Sequence, residues 1–148
     1  MNYVIIHNEK ELHDVSSIGE IVDFLYKHLD RFGDSKQAIR KAINYAISNK
    51  AGRGGFLTIA KKDNEIVGAL VMNKTGMSDY IPANVLVYVA VRADQRGKGL
   101  GSKIIKKSLA EANGKVKLHV EYDNPAKKLY ERIGFKSKYA EMRYTKEK

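Results

Sequence analysis

"VLVYVAVRADQRGKGLGSKIIKKSLAEA" runs from Val85 to Ala112, and its reading decides the fold. The residues from Asn84 to Val91 are almost continuously apolar, as in a strand buried on both faces. Three glycines then stand at alternate positions, Gly97, Gly99 and Gly101. Leu100, Ile104, Ile105, Leu109 and Ala112 follow at helical spacing. The stretch therefore reads strand, glycine loop, helix. The first turn of a helix carries unpaired N–H groups and a partial positive charge. Glycines just before it let a ligand's phosphates reach the backbone. Arg92, Arg96, Lys98, Lys103, Lys106 and Lys107 surround the loop, against one acid, Asp94. The chemistry suits a pyrophosphate. A Walker A loop needs Lys then Ser or Thr after its last glycine, and "GKGLGSK" lacks that order. The dinucleotide pattern G-x-G-x-x-G fails as well, because Ser102 stands where its third glycine belongs. A tight strand–helix turn with no ligand explains three glycines equally well when they are taken alone.

Before this stretch, Asn2–Ile6 reads as a strand. Ile18, Ile21, Val22, Leu25 and Leu29 give a helix over Asp14–Leu29, with Asp14 as its cap. A second helix runs over Ser35–Asn49, capped by Asp34 or Ser35 and ended by "NKAGRGG". "FLTIAKKDNEIVGALVM" reads as a hairpin turning at Asp63-Asn64. After the stretch come a strand over Lys115–Val120 and a helix that begins near Pro125 and closes at Gly134. Two last strands are expected over Phe135–Lys138 and Tyr139–Lys146. The expected order is β-α-α-β-β-β-α-β-α-β-β, with no repeat or linker, so residues 1–148 are expected to form a single domain.

Composition narrows the chemistry. The chain has 148 residues and no cysteine, so disulfides, zinc–thiolate sites and thiol nucleophiles are excluded. The opening "MNYVIIHNEKELHD" lacks the features of a signal peptide. No apolar run approaches the roughly 20 residues of a bilayer span. A cytoplasmic protein without a membrane partner is expected. The net charge of +10 is uneven: residues 1–34 hold seven acids and three bases, and residues 35–148 hold ten acids and twenty-four bases. Solubility is one reading of that asymmetry. The other is a polyanionic ligand on the later part and a cationic one near the start.

Two segments together carry a family resemblance. "VAVRADQRGKGLGSKII" resembles the signature loop of the GNAT superfamily, the acyl-CoA-dependent N-acetyltransferases. Its pattern Q/R-x-x-G-x-G/A falls on Arg96-Gly97-Lys98-Gly99-Leu100-Gly101. "EYDNPAKKLYERIGF" resembles the second segment of that superfamily, a turn at Asn124-Pro125-Ala126 and a helix ending Leu129-Tyr130-Glu131-Arg132-Ile133-Gly134-Phe135. The motif resemblance spans residues 85–135; residues 1–60 agree only in element order. It implies an α/β (α+β) fold with a mixed, mostly antiparallel sheet flanked by helices. Its central parallel strands, Asn84–Val91 and Lys115–Val120, would splay to hold acetyl-CoA.

The resemblance also implies roles. Val89, Ala90 and Val91 would offer backbone groups to the thioester and pantetheine. Arg96, Gly97, Lys98, Gly99, Leu100, Gly101 and Ser102 would hold the pyrophosphate, mostly through N–H groups. Asn124 would bind the pantetheine amides, although an Asn there also suits a helix cap. Tyr130 would contact the cofactor and donate to the departing thiolate, since a phenol of pKa near 10 is protonated at neutral pH; as a residue between Leu129 and Ile133 it also reads as a core aromatic. Acetyl-CoA is the expected co-substrate and no metal is expected. The acceptor would be an amine, with a primary amine of a small molecule first, a protein N-terminus, ribosomal protein or charged tRNA second, and a non-catalytic acyl-CoA-binding module third. Nucleic acid is compatible with the basic segment but not favoured, because no aromatic platform for bases is visible. A monomer or homodimer is expected. No general base is readable: Glu121 and His119 are candidates on one strand face, Tyr88 a weaker one, and no carboxylate lies on the Val85–Val91 strand. Glu20, Asp23, Asp30 and Asp34 could draw an ammonium-bearing acceptor by their field, or merely be solvated.

Overall fold

The glycine-loop helix lies over the sheet at a point where there is no room for another side chain. A Cβ built on Gly68 would stand 2.3 Å from Ile104 Cδ1. This contact comes from a computed structural model of the chain, which describes residues 1–147. The chain falls into two compact units, Met1–Leu118 and the segment from His119 onward.

The first unit holds strand β1 (Asn2–Ile6), helices α1 (Glu9–Val15), α2 (Ile18–Leu29) and α3 (Lys36–Ala46), strands β2 (Gly55–Lys62), β3 (Glu65–Lys74) and β4 (Asn84–Val91), helix α4 (Leu100–Glu111) and strand β5 (Val116–Leu118). The five strands form one sheet in the order β1-β2-β3-β4-β5. The first three pairings are antiparallel and β4–β5 is parallel, which is the mixed, mostly antiparallel sheet expected. The β2–β3 hairpin turns at Asp63 (φ 53°) and Asn64 (φ 65°), two residue types that tolerate left-handed backbone.

Alternation along β2 and β3 sorts two cores. Leu57, Ile59, Ala69 and Val71 join Ile21, Leu25, Ile39 and Ile43 of α2 and α3 on one face. On the other face α4 brings down Ile104, Ile105 and Ser108, all fully buried. Ser108 Oγ donates to Ile104 O at 2.8 Å and meets Thr58 Oγ1 at 2.8 Å, so both buried hydroxyls are satisfied.

The helix starts differ from expectation. Asp14 lies inside the additional helix α1. Asn8 caps α1, its side chain accepting from Glu11 N–H at 2.9 Å, and Ser17 caps α2, accepting from Glu20 N–H at 3.1 Å. Both follow the cap-x-x-Glu spacing of a capping box. Ser35, not Asp34, caps α3, accepting from Ala38 N–H at 3.2 Å.

In the second unit Asn124 Oδ1 accepts from Ala126 N–H at 2.9 Å and helix α5 (Ala126–Ile133) follows. Gly134, at φ 127°, ends it. The two strands expected after Gly134 are not formed. Tyr139, Met142 and Tyr144 are all more than four-fifths exposed, and among the described residues no strand pairs with this segment.

Candidate active site

The seam between β4 and β5 is closed at one end only. Asn84, which is buried, donates its backbone N–H to Lys115 O at 3.1 Å and its side-chain amide to Asn113 O at 2.8 Å. Pairing then runs through Asn84↔Val116, Val85↔Lys117 and Leu86↔Leu118 and stops. At that point the register of β4 against β3 shifts, leaving Val87 as the extra residue. A bulge bends and twists its strand, and here it stands where β4 parts from β5. From Val87 to Val91 β4 runs on with no strand paired to it on that side among the described residues. β5 ends at Leu118 rather than Val120, so His119 and Glu121 lie outside the strand, and the shared-face argument for them as bases does not hold.

Past the bulge, the backbone direction is set by the ladder to β3. Arg92 N–H donates to Val67 O at 2.9 Å, and Ala69 opposes Ala90 in the same register. Hydrogen-bonded and non-hydrogen-bonded pairs alternate, so Ala90 turns its N–H and C=O to β3. Val89 and Val91 turn theirs to the open side. Of Val89, Ala90 and Val91, two therefore have backbone groups that face away from β3, and Val91 O already accepts from Arg96 Nε at 3.2 Å.

The glycine loop has the expected form. Gly97 (φ 76°) and Gly99 (φ 80°) are left-handed, and a Cβ on either would meet no atom within 4 Å. The space in front of the backbone is free, so the glycines are required by conformation and not by protein packing. Gly99 caps α4, whose first internal bond is Lys103 N–H to Gly99 O at 3.1 Å. The amides of Leu100, Gly101 and Ser102 precede that bond and are the donors a helix end offers to an anion. The Leu100 side chain itself is buried in the core.

Not every nearby cation serves that anion. Arg92 grips Asp94 through Nε at 2.7 Å and Nη2 at 3.1 Å, and Glu65 through Nη1 at 2.9 Å. Arg96 donates Nη2 to His28 O at 2.9 Å, tying the loop to α2. Lys107 stands over the Tyr3 ring at 4.8 Å. Lys98, Lys103 and Lys106 are the exposed cations left around the helix start.

Tyr88 and Asp34 form a contact the sequence did not suggest. Tyr88 Oη donates to Asp34 Oδ2 at 2.5 Å, joining β4 to the turn before α3 across 54 residues. Burial, then the Asp34 carboxylate, push the phenol's pKa far up. A phenol held protonated as a donor is no base, so Tyr88 loses that candidacy. His28 is shifted down by burial, then by the charges of Lys27, Arg96 and Arg92.

In the second unit Tyr130 is 8% exposed and lies edge-on to Phe135 with ring centroids 5.8 Å apart. Burial raises its pKa to about 12. Among the described residues its hydroxyl has no hydrogen-bond partner, so it remains a protonated donor. Pro125 holds the cap position of α5 and Asn124 accepts from Ala126 N–H just ahead of it, while the Asn124 side-chain N–H groups have no partner among the described residues. No group of three or more His, Cys, Asp or Glu that could hold a metal occurs among the described residues, and none of their helices is long and apolar enough to cross a membrane.

The fold and the loop agree with known proteins. Residues 53–137 match the family described as "Acetyltransferase (GNAT) domain". No curated protein matches the chain in sequence. Among solved structures the chain is similar to a ribosomal-protein-alanine N-acetyltransferase from Brucella melitensis biovar Abortus 2308, with 17% identity, 98% of this chain and 99% of that one covered, and a TM-score of 0.67. It is also similar to an aminoglycoside antibiotic 6'-N-acetyltransferase from Acinetobacter haemolyticus, with 14% identity, 99% of both chains covered and a TM-score of 0.69. A GNAT family protein from Streptococcus pneumoniae TIGR4 shares 15% identity over 99% of this chain and 100% of its own, with a TM-score of 0.67. With the family matched over more than half its length and the strand, bulge, glycine loop and helix arranged as described, the chain belongs to the GNAT acetyltransferase family.

Proposed function

We propose that the protein transfers the acetyl group of acetyl-CoA to a primary amine of a small molecule. The observation that carries this reading is the half-open β4–β5 seam ending in a glycine-capped helix. It offers edge amides for an extended amide-bearing arm and an anion site at its end. The group fits the residues present: unfilled space at Gly97 and Gly99, amide donors at Leu100–Ser102, and lysines beside them suit a pyrophosphate.

Acetyl-CoA supplies the activated acyl group as a thioester. Val89 N–H and Val91 N–H are the backbone donors on the open edge; they would orient the acyl group and oppose the negative charge that gathers on its oxygen. Arg96, through its bonds to Val91 O and His28 O, positions the loop rather than gripping phosphate itself. Asn124 keeps its amide hydrogens for a carbonyl. Tyr130, protonated with a pKa near 12, donates a hydrogen bond to the departing sulfur. A thiol's pKa is roughly 8.5, so complete proton transfer from so weak an acid is uphill. In this reading Tyr130 stabilises the thiolate and water supplies the proton. The balance is simple: the acceptor ammonium gives up one proton to become nucleophilic, the C–N bond forms as the carbonyl π pair moves to oxygen, the adduct nitrogen loses a second proton, and the C–S bond breaks as the carbonyl re-forms, the sulfur taking up one proton from water. The net products are amide, thiol and one proton.

All of residues 1–148 act as one domain in this reading, in the cytoplasm, where acetyl-CoA is at hand. The similar structures include one named for a ribosomal-protein alanine and one for an aminoglycoside, two different acceptors on one fold, so resemblance does not choose between them. A small amine is preferred because a recess of about 440 Å³ on the acidic side, lined by Tyr26, Asp30 and Asp34 among others, falls in the size range of small-molecule sites.

The test is direct. Because the chain has no cysteine, free thiol released from acetyl-CoA is read against no protein background. Acetyl-CoA should raise the melting temperature, and an amine panel should release thiol with an acetylated product in the mass spectrum. A protein neither stabilised by acetyl-CoA nor active on any amine would refute the assignment. Stabilisation without turnover would instead favour an acyl-CoA-binding module.

A further inference from the structure

We propose that Asp34 is the carboxylate that binds the acceptor's ammonium group beside the open edge of β4, so that the acceptor is recognised as a cation by direct contact. This rests on the acetyltransferase reading above. Four of the seven carboxylates in the acidic segment lie on α2 and the turn after it, and the structure separates them. Glu20 takes the Ser16 hydroxyl in its own first turn. Asp23 pairs with Lys36 at 3.0 Å. Asp30 sits in the turn that ends α2, at φ 53°. Asp34 alone reaches the sheet, through Tyr88, and Tyr88 directly precedes Val89, the first residue with its peptide groups turned to the open seam.

An ionised carboxylate has about four acceptor sites. Tyr88 occupies one, on Oδ2, and Oδ1 has no hydrogen-bond partner among the described residues. The phenol therefore fixes the carboxylate's direction and leaves an oxygen for a second donor. Val85–Val91 carries no carboxylate of its own, and the Tyr88 bridge brings one to it from the far side of the α2–α3 turn. Asp34 also lines a surface recess with Tyr26, Lys27, Asp30 and Arg31. Two cations and two anions there make the long-range field mixed. Selection must then come from a charge-assisted hydrogen bond to Asp34 and not from net potential.

The probes are propylamine, phenethylamine, spermidine and trialanine, with propanol as the uncharged control. Wild type, Asp34→Asn, Asp34→Glu and Tyr88→Phe are compared, each checked for cooperative unfolding. Initial rates with saturating acetyl-CoA give the acceptor KM. Amide NMR of the CoA-loaded protein, followed at Asp34 and Ser35, gives acceptor affinity without turnover. At least one amine should shift those amides where propanol does not. Asp34→Asn should raise that amine's KM and dissociation constant about ten- to hundredfold, with acetyl-CoA affinity kept within about twofold. Asp34→Glu should recover part of the loss, and Tyr88→Phe should weaken the amine several-fold because the carboxylate loses its orientation. The proposal is overturned if no amine shifts those amides, or if Asp34→Asn binds the amine as wild type does. If acetyl-CoA itself fails to bind, the acetyltransferase reading falls, and the same amine titration on the free protein still decides Asp34.

Discussion

Thr58 on β2 and Ser108 on α4 share a hydrogen bond of 2.8 Å inside the core, 50 residues apart. Ser108 passes its own hydrogen to Ile104 O, so Thr58 is the donor between them. Ser108→Ala leaves the Thr58 hydroxyl buried without an acceptor and should cost about 1–3 kcal/mol in urea unfolding. Replacing both, with Thr58→Val and Ser108→Ala, should recover part of that loss. A Ser108→Ala protein as stable as wild type would show that Thr58 finds another partner.

Substitutions at Gly99 and Gly101 should change stability in opposite directions while both weaken acetyl-CoA. Gly99 is left-handed at φ 80°, so a side chain there costs about 1–2 kcal/mol of backbone strain and also fills the space before the helix amides. Gly99→Val should therefore weaken acetyl-CoA binding severely while the protein still folds. Gly101 lies in the first turn of α4, where alanine is the better helix former. Gly101→Ala should stabilise the fold by about 0.4–1 kcal/mol and still weaken acetyl-CoA. Calorimetry beside denaturant melts separates the two; unchanged affinity in a folded Gly99→Val protein removes the anion site.

Tyr130→Phe should keep the fold and acetyl-CoA affinity and lower kcat by about a hundredfold or more. The pH profile adds a second test. A phenol raised to about 12 stays protonated across the working range, so Tyr130 should add no alkaline limb below about pH 11. An alkaline limb near pH 9 that disappears in Tyr130→Phe would contradict the raised value. Wild-type turnover in Tyr130→Phe would make the residue structural.

His7 lies between Glu111, 2.9 Å from Nε2, and Glu11, 3.1 Å from Nδ1. Glu111 first and Glu11 after it raise its pKa. A raised folded-state pKa gives stability that is complete below the unfolded value, about 6.5, and is lost as pH rises through the folded value. Wild type minus His7→Gln stability should therefore be larger at pH 5.5 than at pH 8.5. The gain should be small, because all three side chains are substantially exposed. A difference that grows with pH would refute the bridge.

The middle of the molecule was legible because local signals there agree. Hairpin turn, buried strand, glycine loop and helical spacing all point to one topology, and the open seam lies where the loop pattern implied. The start was misread at Asp14, which looks like a cap but has no Glu three residues on. Asn8–Glu11 and Ser17–Glu20 carry the spacing that counts. Phe135–Lys146 has strand-like residues, but a strand needs a partner, which composition does not supply. Arg92 looked like a phosphate ligand because Glu65, which neutralises it, is 27 residues away in sequence. Asp34 was visible as a cap candidate and as one acid among several, but not as a partner of Tyr88, since that bond depends on how α2 and α3 lie against β4.

The one-ended seam has a consequence for amide exchange. Tyr88 and Ala90 are held by the ladder to β3, whereas Val89 and Val91, in the same central strand, have no ladder bond on their own side. Hydrogen–deuterium exchange should therefore alternate along β4, slow at Tyr88 and Ala90 and fast at Val89 and Val91. An extended ligand arm that accepts from the fast pair would act as an added strand and slow them selectively. The strand's exchange pattern would then report binding residue by residue, and the acetyl donor would complete the hydrogen bonding of the sheet it enters.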